Sequence, residues 1–260
     1  MIHKFAVVHP DAKIAESAEI GPFCNVEADV EIGEGTVLIS NVTVMSGSRI
    51  GKNNRIFPGA VIGAIPQDLK FVGEYTTLEL GDNNTIRECV TLNRGTASRG
   101  KTVIGSNNLI MAYCHVGHDC VLGNHLVISN ATQIAGEVEI DDWAVIGGAS
   151  AILQFSKIGC HSMTSGQSPV QRDVPPYAKA GRNPISYVGI NSVGLRRRGF
   201  SDEIINRISD CYRIIYMRGL NTTHALETLE AEIPQCPERD EIIRFVKASQ
   251  HGIMKGPDLK

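Results

Sequence analysis

No two of the seven cysteines form a CxxC pair, and they scatter from Cys24 to Cys236 as an odd set. The start, MIHKFAVVHP, has no apolar leader segment. Together these exclude a disulfide framework and point to free thiols, several of them core fillers. No stretch approaches the roughly 18 apolar residues that span a bilayer. A cytoplasmic protein with no integral membrane association is therefore expected. Positive charge is not in excess, with a formal net charge of −3 and a pI of about 6.2. That speaks against a nucleic-acid binder. Aromatics are 5% and charged residues 20%, against 42% hydrophobic residues, enough for a globular core in 260 residues.

What is abundant is a period of six. From Val8, steps of six reach Ile14, Ile20, Val26 and Ile32, and the phase persists to Ile158. Of 26 such positions, 23 are Val, Ile or Leu. Chance predicts roughly six or seven. The next residue is glycine ten times, as at Gly21, Gly33 and Gly117. Glycine tolerates backbone angles that Cβ forbids, so it is expected at a repeated corner. The residue four past the aliphatic is usually small, as at Ala18, Cys24 and Ser150. Such a unit is a short strand and a turn, and three units make a triangular coil of about 18 residues whose parallel strands stack roughly 4.8 Å apart. A helix would repeat at 3.6, and an antiparallel sandwich would not keep one phase so long.

All three misses, Asp68, Glu74 and Ser98, fall in two interruptions, about 64–79 and 93–103. These are expected to be loops on one face, often the binding face. The domain expected over 1–187 is thus a parallel β-helix. From 188 to 260 a small helical domain is expected to cover its open end. Ser201-Asp202-Glu203 starts one helix, Gly219 is its stop, Asn221 caps a second, and a third surrounds Ile242, Ile243 and Phe245.

Residues 95–102, GTASRGKT, match a phosphate-binding loop. The chain returns at once to the repeat (Val103-Ile104-Gly105), with no following helix, so the match is read as a solvated loop. The stretch His115-Val-Gly-His118-Asp119-Cys120 admits three readings. One is a metal site, although zinc enzymes among left-handed β-helix proteins typically carry a pair of histidines with four residues between them and here only two intervene. Another is a surface cluster without function. The third is general-base catalysis, with an adjacent carboxylate orienting the imidazole. Spacing supports the third. His118, Gly136 and Gln154 are 18 apart and should stack on one prism edge, putting a base beside a glycine amide able to hold an oxyanion. Arg196, Arg197 and Arg198 follow Asn191 and suit a diphosphate or an acidic partner, or else a solvated junction. Trp143 is read as packing. His3, His9, His125, His161, His224 and His251 show no constellation.

The runs PQDLKFVGE, CHVGHDCVLGN, DVPPYAKA and GINSVGLRRRGF resemble the UDP-N-acetylglucosamine O-acyltransferase family over nearly the whole chain. The resemblance implies a left-handed hexapeptide-repeat β-helix and a homotrimer with active sites between subunits. It also implies transfer of a 3-hydroxyacyl chain from acyl carrier protein to the 3-hydroxyl of UDP-N-acetylglucosamine, the first step of lipid A biosynthesis. His118 would be the general base, Asp119 its orienting group and Gly136 the oxyanion donor. Gln67, Asp68, Lys70 and His115 match contacts to the glucosamine or its phosphates. Gln154, Asn191 and Arg197 match nucleotide-sugar contacts, and Arg198 helps to attract the acidic carrier protein. No metal or cofactor is implied beyond the carrier's phosphopantetheine. Gly166 matches a position limiting acyl length, so a chain of about fourteen carbons or more is expected. Glu137 and Leu153 stand where the family often has histidine, and Val193 where an acid is common, which leaves open a 3-amino sugar acylated on nitrogen. The later-acting N-acyltransferase usually carries an N-terminal uridine-binding domain, for which a repeat beginning by Val8 leaves no room. A non-catalytic β-helix scaffold would not need His118.

Overall fold

The computed structural model describes residues 1–257. Positions 258–260 of the expected helical domain lie outside the described residues. The chain winds as a left-handed parallel β-helix whose three faces are sheets of 9, 8 and 10 strands, here the first, second and third sheets. Most strands are two residues long, with the first side chain outward and the period-six aliphatic inward. Leu38, Val44, Ile56, Ile62, Ile110, Val116, Ile128 and Ile134 are wholly buried. Each contributes roughly 1.5–3 kcal/mol by leaving water.

Register shows the coil length directly. His115 pairs with Gln133, and Gln133 with Ala151. Across the insertions the step lengthens, Val61 pairing with Thr91 and Thr91 with His115. Both insertions thus add whole multiples of six, which is why the phase survives them. They are narrower than the sequence suggests. Thr77–Leu80 and Lys101–Ile104 are regular strands of the second sheet, so the excursions are only 65–76 and 94–100.

The glycine expectation needs a different cause. Of the ten glycines after the aliphatic, only Gly63 has positive φ. The others are needed because a Cβ would strike the next coil, 1.8 Å from Ile39 O at Gly21 and 2.7 Å from Gly136 N at Gly117. The left-handed corner lies two residues later and is mostly occupied by other types, including Asn41, Asn53, Asp119, Glu137 and Trp143. Asparagine tolerates that region; a bulky residue there is strained. The small-residue position also departs at one corner. Asn54, Asn84 and Asn108 stack inside the prism, Asn84 Nδ2 donating to Asn54 Oδ1 at 3.0 Å and Asn108 Nδ2 to Gly123 O at 3.0 Å. Their buried amides are thereby satisfied.

The β-structure runs on past 187, through a hairpin of Ala178–Gly181 and Ser186–Ile190. Four helices follow among the described residues: α1 (Ser192–Arg197), α2 (Asp202–Met217), α3 (Thr222–Glu232) and α4 (Pro237–Ala248). Ser201 caps α2 and Asn221 caps α3, each accepting from a backbone N–H three residues on. Helix α1 was not expected from the sequence. Tyr212 of α2 is fully buried, stacks on Tyr187 and donates to Pro176 O, so the helices do cover the end of the β-helix. The chain then returns to pair Ile253 with Asp173 and Lys255 with Ser186.

Candidate active site

His118 follows the first-sheet strand His115–Val116, at the corner leading to the second sheet. Gly136 and Gln154 occupy the equivalent places one and two coils on. Glu137 N donates to His118 O at 2.8 Å and Phe155 N to Gly136 O at 3.4 Å, so the expected ladder forms. The imidazole lies flat against Gly136, where a Cβ would come within 2.5 Å of Nε2. Ala135 N and Glu137 N both donate within the fold, but among the described residues no acceptor takes the Gly136 N–H. A base and an uncommitted amide donor therefore sit side by side.

His118 Nδ1 is 2.8 Å from Asp119 Oδ2. That contact assigns the Nδ1–H tautomer and leaves the Nε2 lone pair facing outward. Asp119 is fully buried. The residues cradling it come from the GTASRGKT segment. Thr96 N lies 3.0 and 3.1 Å from the two carboxylate oxygens, Thr96 Oγ1 2.6 Å from Oδ2, and Arg99 N 3.1 Å from Oδ1. The segment read as a solvated loop thus binds an anion after all, a carboxylate of its own chain, with Thr96 buried.

The first insertion supplies Asp68, whose Oδ2 is 3.9 Å from His118 Nε2 and whose Oδ1 accepts from Lys70 N at 2.9 Å. Tyr75 anchors this loop by donating to Asp29 Oδ2 at 3.0 Å. Gln67 and Lys70 are exposed on it. His115 pairs with Thr91 Oγ1 at 2.7 Å; burial, then repulsion from His118, holds it below the ordinary histidine range. The Cys120 thiol points into the prism toward Ala135 O at 3.1 Å, pushed up to about 12 by burial. The side chains of the HVGHDC run therefore do not converge on one point.

Asn191, Arg197 and Arg198 lie elsewhere. They line a cavity of about 590 Å³ on the third sheet, with Val127, Met163 and Lys179. Asn191 caps α1, accepting from Gly194 N, and donates to His161 O at 2.9 Å. Gly166 is exposed in the turn leading from the third sheet back to the first. Within one chain these residues do not join His118. Trp143 packs, as the sequence suggests, but His125 and His161 belong to a constellation that the sequence reading does not name. His125, Trp143 and His161 stack as a column, with centroids 4.0 and 6.1 Å apart and near-parallel planes, and the Arg198 guanidinium stands 5.3 Å from the indole centroid. They are 18 apart at the second-to-third corner, where side chains project outward and align coil on coil.

Two segments of the chain match distinct family models, a bacterial transferase hexapeptide repeat over 101–136 and the second domain of UDP-N-acetylglucosamine O-acyltransferase over 173–254. An acyl-[acyl-carrier-protein]–UDP-N-acetylglucosamine O-acyltransferase of Thermodesulfovibrio yellowstonii is 44% identical over 98% of this chain and 99% of its own. This chain belongs to the UDP-N-acetylglucosamine O-acyltransferase family. Among solved structures, the UDP-N-acetylglucosamine acyltransferase of Bacteroides fragilis superposes with a TM-score of 0.97 at 52% identity, covering 98% of this chain and 100% of that one. The enzyme of Francisella novicida gives 0.96 at 40% identity over 99% and 95%. Thr96 and Arg99 hold the Asp119 carboxylate and are absent from the site residues that the sequence suggests. Their signal in the sequence is the anion-loop pattern, which here lacks the helix that follows a phosphate loop.

Proposed function

We infer that the first-to-second corner is the acyl-transfer centre of a UDP-N-acetylglucosamine O-acyltransferase acting in the first step of lipid A biosynthesis. The observation that carries this reading is His118, its Nδ1 on a buried carboxylate and its Nε2 uncommitted, lying against the free Gly136 amide. His118 Nε2 takes the proton of the sugar 3-hydroxyl as that oxygen attacks the thioester carbonyl of a 3-hydroxyacyl chain on acyl carrier protein. The carbonyl oxygen becomes an oxyanion held by Gly136 N–H. Collapse breaks the carbon–sulfur bond, and the proton on Nε2 passes to the departing thiolate of the phosphopantetheine arm. The reaction so written needs no metal and no cofactor besides that arm.

Gln67, Asp68, Lys70 and His115 surround the acceptor sugar in this reading. Gln154, Asn191 and Arg197 take its nucleotide, and Arg198 with Arg196 draws in the acidic carrier. The separation of Gln154 from Asn191 and Arg197 within one chain supports a homotrimer, in which one subunit's third-sheet cavity faces its neighbour's His118 corner. Gly166 leaves space for a long acyl chain. No described helix is long and apolar enough to cross a membrane, and the reaction's soluble substrates suit the cytoplasm.

The test is an assay of purified protein with UDP-N-acetylglucosamine and a panel of 3-hydroxyacyl carrier proteins. Ester formation with donors of about fourteen carbons or more is expected. Preference for ten-carbon donors would contradict the Gly166 assignment. Acylation only of the 3-amino sugar would move the reading to the N-acyl variant.

A further inference from the structure

We propose that Thr96 is a positioning residue for acyl transfer, its hydroxyl and amide fixing the carboxylate that in turn fixes the catalytic imidazole. The proposal rests on the reading of His118 as general base. Asp119 has room for about four hydrogen bonds on its two oxygens. The structure fills them. His118 Nδ1 and Thr96 Oγ1 both donate to Oδ2, at 2.8 and 2.6 Å, while Arg99 N reaches Oδ1 at 3.1 Å and Thr96 N straddles both oxygens. A buried charge requires such compensation. The hydroxyl shares one oxygen with the imidazole, so it sets where that oxygen sits. Without it the carboxylate can rotate, and the ring loses the direction that aims Nε2 at the substrate.

The segment is built for this purpose. Gly95 has no room for a side chain, since a Cβ would lie 2.3 Å from Lys101 N, and Gly100 sits at φ +71. Between them the chain curls so that two amides point at one anion, a nest of the kind that phosphate loops use. Outside contacts hold the curl. Ala97 N donates to Glu74 Oε1 at 2.9 Å, and Arg99 pairs with Glu139 at 2.6 Å. Glu139 in turn pairs with Lys157 at 2.9 Å. The two insertions thereby converge on the His118–Asp119 pair, the first bringing Asp68 to His118 and the second bringing Thr96 to Asp119.

The test compares Thr96→Val, Thr96→Ser and Asp119→Asn, singly and as the Thr96→Val/Asp119→Asn pair, in the intact protein. Melting curves check folding. Thr96→Val should lower kcat about ten- to a hundredfold with KM for the nucleotide sugar within about twofold, because positioning rather than binding is lost. Thr96→Ser should restore kcat to within about threefold of the parent. In the Asp119→Asn background Thr96→Val should cost almost nothing further, since it acts through that carboxylate. Three results would overturn the proposal: a Thr96→Val enzyme of parental kcat, a loss confined to KM, or a full loss persisting beside Asp119→Asn. Should Thr96→Val fail to fold, the Thr96→Ser variant decides, parental kcat supporting the proposal and a tenfold loss opposing it. Failure of the general-base reading would look different, because Asp119→Asn itself would then leave kcat intact.

Discussion

His118 and Gly136 share one small volume, and each constrains the other. Gly136→Ala would drive a methyl group into the imidazole, at 2.5 Å from Nε2. A loss of about a hundredfold in kcat or more is expected, with the melting temperature little changed, since the strain is relieved by turning the ring away from its productive direction. His161 has a separate signature. Burial among the stacked rings, then the Arg198 charge, holds it down to about 4, against 6.5 for an ordinary histidine. As pH falls from about 6.5 to about 4, the unfolded chain binds a proton that the folded chain refuses, so stability falls across that window and is fully present above it. His161→Phe keeps a ring in the column without the titration. Its melting temperature should decline less between those pH values than the parent's, and an equal decline would refute the assignment.

Among the elements, the two-residue strands have little strength of their own and depend on the aliphatic that each contributes to the axis. Ile134 is wholly buried between coils, and Ile134→Ala is expected to cost about 2–5 kcal/mol, read as a lower denaturation midpoint. This level was the most legible in the sequence. Strict spacing of Val, Ile and Leu specified the strands, and insertions in multiples of six kept them in phase. Caps at Ser201 and Asn221 could be read because their bonds are local. Helix α1 was hidden by its brevity and by an arginine run that suggests exposure. The glycine pattern was visible but its cause was not, because the clash that demands Gly117 comes from a residue one full coil away. The same distance hid the Thr96–Asp119 contact, which joins a loop to a corner through a fold the sequence does not display. The His125, Trp143 and His161 column carries the same 18-residue spacing as His118, Gly136 and Gln154 and is legible in the sequence in the same way.

Over the whole molecule, the proposed reading divides the site between two places on one chain. His118 and Gly136 stand at the first-to-second corner, while Asn191, Arg197 and Arg198 line the third-sheet cavity. Light scattering on the purified protein should give a mass three times the 28.1 kDa of the chain, and a monomer of full activity would contradict a shared site. Mixed trimers of His118→Ala and Arg197→Ala subunits should regain part of the activity lost in each, because some interfaces then hold both intact halves. The most direct test of the central claim is the single-turnover rate of His118→Ala with UDP-N-acetylglucosamine and a long-chain 3-hydroxyacyl carrier protein. A fall of about a hundredfold to ten-thousandfold, with an unaltered melting curve, is predicted for loss of the general base. A folded variant that transfers the acyl chain at the parental rate would contradict it.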